Sequence, residues 1–279
     1  MKMSLINKII AEALREDAAF GDITTNLLIK KDHVSKAQIL IKEEAVICGL
    51  EVVKTVFKKL DRKIYFKTSF KDGHKVKKNT VVAVVTGKTR ALLSGERVAL
   101  NFLSHLSGIA TTTHRFVEAA RPFKAKILDT RKTTPGLRHL EKYAVRCGGG
   151  ENHRADLSEM VLIKDNHREI LGFLTKLQET VRHFKRKTHK PIEVEVDNLN
   201  EFEEILKANP DIILLDNMSL QAIKKAVKKR GQRKQPLLEA SGGITMKNVH
   251  AIAQTGVDRI SIGALTHSPL TIDVSMEMI

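Results

Sequence analysis

The sequence predicts an α/β protein in two parts: a small α+β sandwich followed by a (β/α) barrel or part of one. Three observations predict it. Across roughly the first hundred residues, β-rich stretches cluster beside one or two helices. From about Lys126 onward, short apolar runs alternate with amphipathic helices, a pattern that calls for right-handed crossovers and a parallel sheet. Each of those runs also ends at once in polar or glycine residues, and strand ends are where a barrel carries its active site.

The elements follow in order. Met1 to Asp17 reads as an amphipathic helix, with its pattern clearest over Leu5 to Glu16; Glu12, Arg15, Glu16 and Asp17 argue against a signal peptide. A polar turn is expected at Gly21-Asp22-Ile23-Thr24-Thr25. Strand-like stretches lie at Ala37–Ile47, Ile64–Phe70 and, after the turn Lys71-Asp72-Gly73, Val81–Val85. Arg90 to Ala120 reads as a helix broken near Gly108. The later apolar runs are Lys126–Leu128, Met160–Ile163, Ile192–Val196, Ile212–Leu215, Leu237–Leu238 and Arg259–Ile262. Between them, Ile170, Leu171, Leu174, Leu177, Val181 and Phe184 mark one helical face. Asn198 with Glu201 forms a capping pair ahead of a stripe of Leu199, Phe202, Ile205 and Leu206. Ser219 starts a helix that Gly231 ends, and Thr245 starts one that Gly256 ends.

Composition narrows the class. The chain has 279 residues, 42% hydrophobic and 29% charged, which argues against wholesale disorder. Cys48 and Cys147 cannot build a disulfide framework, so a reducing, cytoplasmic compartment is expected. No stretch approaches the roughly 18 uncharged apolar residues of a membrane span. The formal net charge of +16 attracts polyanions. Yet Lys224, Lys225, Lys228, Lys229 and Arg230 lie opposite the apolar stripe of Leu220, Ile223 and Val227 and read as a solvated helix face, and His183–Lys190 reads as a helix end plus a surface loop. With 4% aromatics and no Trp, stacking platforms for nucleic acid are scarce, and no nucleic-acid partner is expected.

The strand ends carry the chemistry. Asp129-Thr130-Arg131-Lys132 sets two adjacent cations where they suit a carboxylate or phosphate. Gly148-Gly149-Gly150-Glu151-Asn152-His153-Arg154 is a glycine run, either a close approach of backbone to ligand or a hinge, and no P-loop. In Glu193-Val194-Glu195-Val196-Asp197 the acids share one face, aimed at the barrel interior, and the valines the other. Buried acids need a cation, a metal or hydrogen-bond donors; with Asp216 ending the next strand, they suit Mg²⁺ and sugar hydroxyls. Ser241-Gly242-Gly243 and Ser261-Ile262-Gly263 end the last strands, where barrels bind phosphate through backbone N–H groups. His105, His114, His139 and His250 read as packing or surface residues, and nothing marks Cys147 as a nucleophile.

These motifs, together with Glu96-Arg97, Leu100-Asn101-Phe102-Leu103, Ser107–Thr111, the segment 129–154, Leu162–His167, Leu214–Asn217, Glu239–Ile244 and Ser261–Ser268, resemble the quinolinate phosphoribosyltransferases of the type II phosphoribosyltransferase family. The resemblance runs in order from the N-terminal region to the last dozen residues. It implies an N-terminal sandwich domain over 1–108, joined by the C-terminal tail of about 266–279, and an open α/β barrel over 109–265. It implies a reaction of quinolinate with phosphoribosyl pyrophosphate giving nicotinate mononucleotide, CO2 and pyrophosphate, with Mg²⁺ required, in de novo NAD biosynthesis. A homodimer or higher assembly with shared active sites is also implied. On the matching motifs, Arg131, His153 and Arg154 would hold the quinolinate carboxylates, with Arg97 from the neighbouring subunit and Thr130 beside them. Lys132 and Lys164 would sit near carboxylates and pyrophosphate. Glu195 and Asp216 would hold the ribose and Mg²⁺, and Ser241, Gly242, Gly243, Ser261, Ile262 and Gly263 would surround the 5′-phosphate. A sister enzyme acting on another aromatic acid is the nearest rival, and a basic nucleic-acid-binding protein a distant one; Arg131 and Arg154 favour a dicarboxylate over the former.

Overall fold

Helix α1 (Met3–Glu16) buries Ile6, Ile10 and Leu14, spaced to share one face, against α3 (Leu50–Leu60). The computed structural model describes residues 3–171 and 174–279. By contact the chain divides into two units: Met1–His114 with Thr133–Gly149 and Leu265–Ile279, and Arg115–Lys132 with Gly150–Ala264.

In the first unit the expected polar turn at Gly21–Thr25 is instead the start of a helix, α2 (Ile23–Leu28). Asp22 caps it, its Oδ1 accepting the Thr25 N–H at 3.0 Å. The stretch Ala37–Ile47 breaks at Lys42-Glu43-Glu44 into β1 (Val34–Ile41) and β2 (Ala45–Val46). After α3 come β3 (Tyr65–Lys67), β4 (Lys75–Val76) and β5 (Thr80–Lys88). The C-terminal strand Val274–Met278 pairs with β1, which pairs with β5, which pairs with β3, all antiparallel. Alternation on β1 buries Ala37, Ile39 and Ile41.

Helix α4 (Thr89–Ala120) runs unbroken through Gly108, where a break is expected from the sequence. The glycine answers a packing need: a Cβ there would fall 1.7 Å from the Leu270 carbonyl oxygen. The tail is fastened beside it, the Ile272 N–H donating to the Ser104 carbonyl at 3.2 Å. Helix α5 (Arg138–Cys147) also belongs to this unit. There His105 pairs with the fully buried Glu141 at 3.0 Å.

The second unit is a parallel sheet of β6 (Lys126–Leu128), β7 (Val161–Ile163), β8 (Ile192–Val196), β9 (Ile212–Asp216), β10 (Leu237–Ser241) and β11 (Arg259–Ser261). Its spatial order is β6-β11-β10-β9-β8-β7. Read as a circle this is sequential winding with the closing pair, β6 and β7, left apart: an open α/β barrel. Helices α6 (Asp165–Leu171) and α7 (Leu174–Lys187) join β7 to β8, and α8 (Leu199–Ala208), α9 (Leu220–Arg230) and α10 (Val249–Gln254) follow the next three strands.

Asn198 and Ser219 cap α8 and α9, accepting from the Glu201 and Ala222 N–H groups. Phe202 and Ile205 are buried, with Leu199 and Leu206 partly so. Of the α6–α7 stripe, Val181 is buried and Phe184 half-buried, but Ile170 is 84% exposed; the side chains of Leu171, Leu174 and Leu177 lie outside the described residues. Thr245 does not cap α10: its own N–H donates to Asn248 Oδ1 at 2.8 Å, and the helix begins at Val249. Arg230 is no solvated charge, since it pairs with Asp258 and its side chain is 10% exposed. No helix among the described residues is long and apolar enough to cross a membrane.

Candidate active site

The site is built at the carboxyl end of β6. Asp129, fully buried, accepts the His153 N–H on Oδ1 at 2.9 Å and the Asn152 amide on Oδ2. Together with the Glu151 N–H bond to the Ile127 carbonyl at 2.8 Å, this lays 151–153 alongside β6. Two guanidinium groups are thereby brought near each other. Arg131 keeps a buried Nε with no hydrogen-bond partner, and Arg154 donates from Nη1 to the Met160 carbonyl at 3.1 Å. Burial, and next the charge of Arg131, lower the Arg154 pKa. Thr130 Oγ1 accepts the Lys132 N–H at 3.1 Å, and the Lys132 side chain is exposed.

Beneath the arginines lies a cluster of charged groups. His153 accepts the Arg154 N–H on Nδ1 at 2.8 Å. The ring proton is therefore assigned to Nε2, which faces Glu193 Oε2 at 3.0 Å and Glu239 Oε1 at 3.4 Å. Both glutamates are fully buried. Arg259 Nε lies 2.7 Å from Glu239 Oε2. Burial raises Glu193 to about 7 against the pull of Arg259, Arg154 and Lys164; burial and then the charge of Glu193 raise Glu239 to about 7.

Sequence reasoning missed Glu239 because it ends β10 at Leu238, whereas the strand continues to Ser241 and carries Glu239 in its middle. Arg259 reads in the sequence as no more than the first residue of a strand. Register shows the connection, since Glu239 pairs directly with Arg259.

On the far side, Lys164 Nζ reaches Glu195 Oε2 at 2.5 Å. Glu195, Asp197 and Asp216 each offer an oxygen within 4.8 Å of the others. All of Ile192–Val196 is buried, so burial does not separate its two faces; Asp197, close to Glu195 as expected, is exposed and pairs with Arg168 at 2.6 Å. Asn217 Nδ2 donates to Asp216 Oδ2 at 2.7 Å.

The later strand ends supply the turn. Gly242 has φ +84°, and a Cβ there would lie 2.2 Å from Asn217 Oδ1; Gly243 has φ +59°, with nothing within 4 Å of its Cβ position. Ser241 leads into this turn, its carbonyl accepting the Asn217 N–H at 2.9 Å. Ser261 is buried, and the Ile262 N–H is committed to the Leu128 carbonyl at 2.9 Å. Gly263 follows directly. All these residues belong to the second unit; Arg97 is exposed on α4 in the first.

An antiparallel sandwich unit followed by an open α/β barrel, with paired arginines, interior acids and a diglycine turn at the strand ends, is the setting of a phosphoribosyltransferase. The models of the quinolinate phosphoribosyl transferase N-terminal and C-terminal domains match residues 22–107 and 109–277. The chain belongs to the quinolinate phosphoribosyltransferase family. It is 40% identical over 273 residues to the nicotinate-nucleotide pyrophosphorylase (carboxylating) of Mycobacterium leprae, covering 96% of this chain and 95% of that protein. It is 39% identical over 288 residues to a quinolinate phosphoribosyltransferase (decarboxylating) of Nicotiana tabacum, covering 97% and 81%. The solved nicotinate-nucleotide pyrophosphorylase of Francisella tularensis superposes with a TM-score of 0.93 at 39% identity, over 100% of this chain and 98% of that one.

Proposed function

We propose that this chain joins quinolinate to phosphoribosyl pyrophosphate, releasing nicotinate mononucleotide, CO2 and pyrophosphate in de novo NAD biosynthesis. The observation that carries the reading is the arginine pair. Arg131 and Arg154 share one partly desolvated region, with Arg131 Nε buried and unpartnered and Arg154 pushed down by burial and by Arg131. Like charges held together out of water call for an anion, and a pyridine with two adjacent carboxylates answers two guanidinium forks.

Arg131 and Arg154 hold the carboxylates. His153, both ring nitrogens engaged within the protein, acts through Arg154 by fixing its backbone. Lys132 and Lys164 stand toward the carboxylates and pyrophosphate. Ser241, Gly242 and Gly243 receive the 5′-phosphate on their backbone, with Gly263 beside them.

The oxygen-only donor set of Glu195, Asp197 and Asp216 fits a hard divalent cation, so these residues would hold Mg²⁺. Bound there, Mg²⁺ would neutralise charge on the departing pyrophosphate. The chain's own part is electrostatic. Glu195 and Asp216 stabilise positive charge on the ribose as the bond from C1′ to pyrophosphate breaks, and the pyridine nitrogen then bonds to C1′ with inversion. The new pyridinium stabilises the carbanion left when the 2-carboxylate departs as CO2, and that carbon takes up a proton.

The protein works in the cytoplasm as a homodimer or larger assembly, in which the exposed Arg97 reaches the neighbour's substrate. The test incubates purified protein with phosphoribosyl pyrophosphate, Mg²⁺ and either quinolinate or nicotinate. Nicotinate mononucleotide and CO2 from quinolinate alone is the expected outcome. Folded protein that yields nothing from quinolinate would overturn the assignment.

A further inference from the structure

The first unit holds a chemical grouping that the proposed reaction does not use. Cys48, Asp72 and Cys147 each present a side-chain ligand atom, and these atoms lie within 4.8 Å of one another. We propose that Cys48 and Cys147 form a redox-active dithiol, which a peroxide closes to an intramolecular disulfide and a small thiol reopens.

Their backbones are already anchored to one helix. The Cys48 N–H donates to Ser107 Oγ of α4 at 3.0 Å. The chain just after Cys147 is wedged against the same helix, since a Cβ at Gly148 would lie 2.3 Å from the Ala110 carbonyl oxygen and 2.6 Å from Thr113 Cβ. Gly73 closes the other side, its Cβ position 3.3 Å from the Cys147 carbonyl oxygen. A disulfide bond is about 2.0 Å long, and side-chain rotation supplies the remaining approach.

The two sulfurs are chemically unequal. The neighbouring Cys48 thiol lowers the Cys147 pKa, with Arg146 acting in the same direction; burial raises that of Cys48. Cys147 is only partly buried, whereas Cys48 is fully so. A cavity of about 510 Å³, lined by Lys54, Lys67 and Phe70 among others, also reaches Asp72 and Tyr143. Tyr143 donates to Asp72 Oδ2 at 2.8 Å, so Asp72 borders both the cavity and the cysteine cluster. Cys147 is the sulfur oxidised first and Cys48 the resolving thiol.

The Cys147 thiolate attacks one peroxide oxygen, the O–O bond breaks, and sulfenic acid and hydroxide form. The Cys48 sulfur then displaces the sulfenic oxygen, the S–S bond forms, and water leaves with the thiol proton. Two thiols and one hydrogen peroxide thus give one disulfide and two waters.

The test treats the full-length folded protein with equimolar hydrogen peroxide, then maps peptides under non-reducing conditions. The expected result is a link between the peptides carrying Cys48 and Cys147, an intact mass lower by two hydrogens, and return of both thiols with dithiothreitol. In a Cys48→Ala variant, Cys147 should instead accumulate as a dimedone-reactive sulfenic acid. Three results would each overturn the proposal: wild-type protein in which both thiols survive, Cys147 over-oxidised beside an intact Cys48, or a link between two chains. Because the mapping is done on wild-type protein, it decides the matter even if the variant fails to fold.

Discussion

Replacing Glu239 with glutamine isolates the cost of keeping an acid inside the barrel. The carboxyl is fully buried, and burial followed by the charge of Glu193 lifts it from 4.5 to about 7. In the unfolded chain it releases its proton near pH 4.5, whereas the folded protein keeps that proton until about pH 7. Between those values the folded state binds the extra proton, so this group's contribution is fully present below pH 4.5 and is lost as pH rises toward 7. Each pH unit of that window is worth about 1.4 kcal/mol, so the whole loss is about 3 kcal/mol. Glutamine has the same shape and does not titrate. The unfolding free energy of E239Q minus that of the wild type should therefore grow by about 3 kcal/mol from the bottom of the window to the top. Urea unfolding at several pH values, at one protein concentration so that assembly is held constant, reads this difference directly. A difference that stays flat or shrinks as pH rises would refute the reasoning. It would mean that Arg259, at 2.7 Å, and His153 hold the carboxylate ionised and that pairing outweighs burial.

Gly108→Ala should lower the melting temperature, because the Cβ would meet the Leu270 carbonyl at 1.7 Å. Overpacking of about 1–3 kcal/mol or more outweighs the gain in helix propensity, about 1 kcal/mol at most; an unchanged or raised melting temperature would contradict the packing reading of α4. Arg131→Ala should raise the KM for quinolinate by about tenfold to a hundredfold with a smaller change in kcat, as expected for a lost charge-assisted pair. Glu195→Ala should mainly lower kcat, and steady-state kinetics on both variants tests the division of roles. Chelation of divalent cations should abolish turnover and added Mg²⁺ should restore it; full activity after exhaustive dialysis against chelator would leave Glu195, Asp197 and Asp216 without that task.

The barrel was legible because its signals are local. Apolar runs at 126–128, 192–196 and 212–215 each stop at a charged residue, and the structure places strands there. Local signals misled where a tertiary contact or a competing side chain decided the outcome. Gly108 has the form of a helix breaker, yet it is demanded by a carbonyl contributed from far along the chain. Thr245 is a good cap by residue type, but Asn248 takes its N–H and delays the helix to Val249. Asp22 reads as a turn residue, and a turn and a helix cap use the same side-chain oxygen.

The candidate site divides in the same way. Arg131, Lys164, Glu195 and Asp216 could be picked out because each stands at or just beyond a strand end. What holds them could not, because it depends on the register between strands remote in sequence. Glu239 ends an apolar run in the sequence, yet the pairing of β10 with β11 sets it beside Arg259 and under His153. Such a cluster is costly to bury, and aliphatic residues of similar volume would stabilise the barrel more. Its position explains why it is kept. His153 Nε2 faces Glu193 and Glu239, Nδ1 takes the Arg154 N–H, and Asp129 holds the His153 N–H from the other side. An apolar interior would give up this frame and let Arg154 move away from Arg131. Two guanidinium groups repel one another, so a rigid support is needed to keep Arg131 and Arg154 close together.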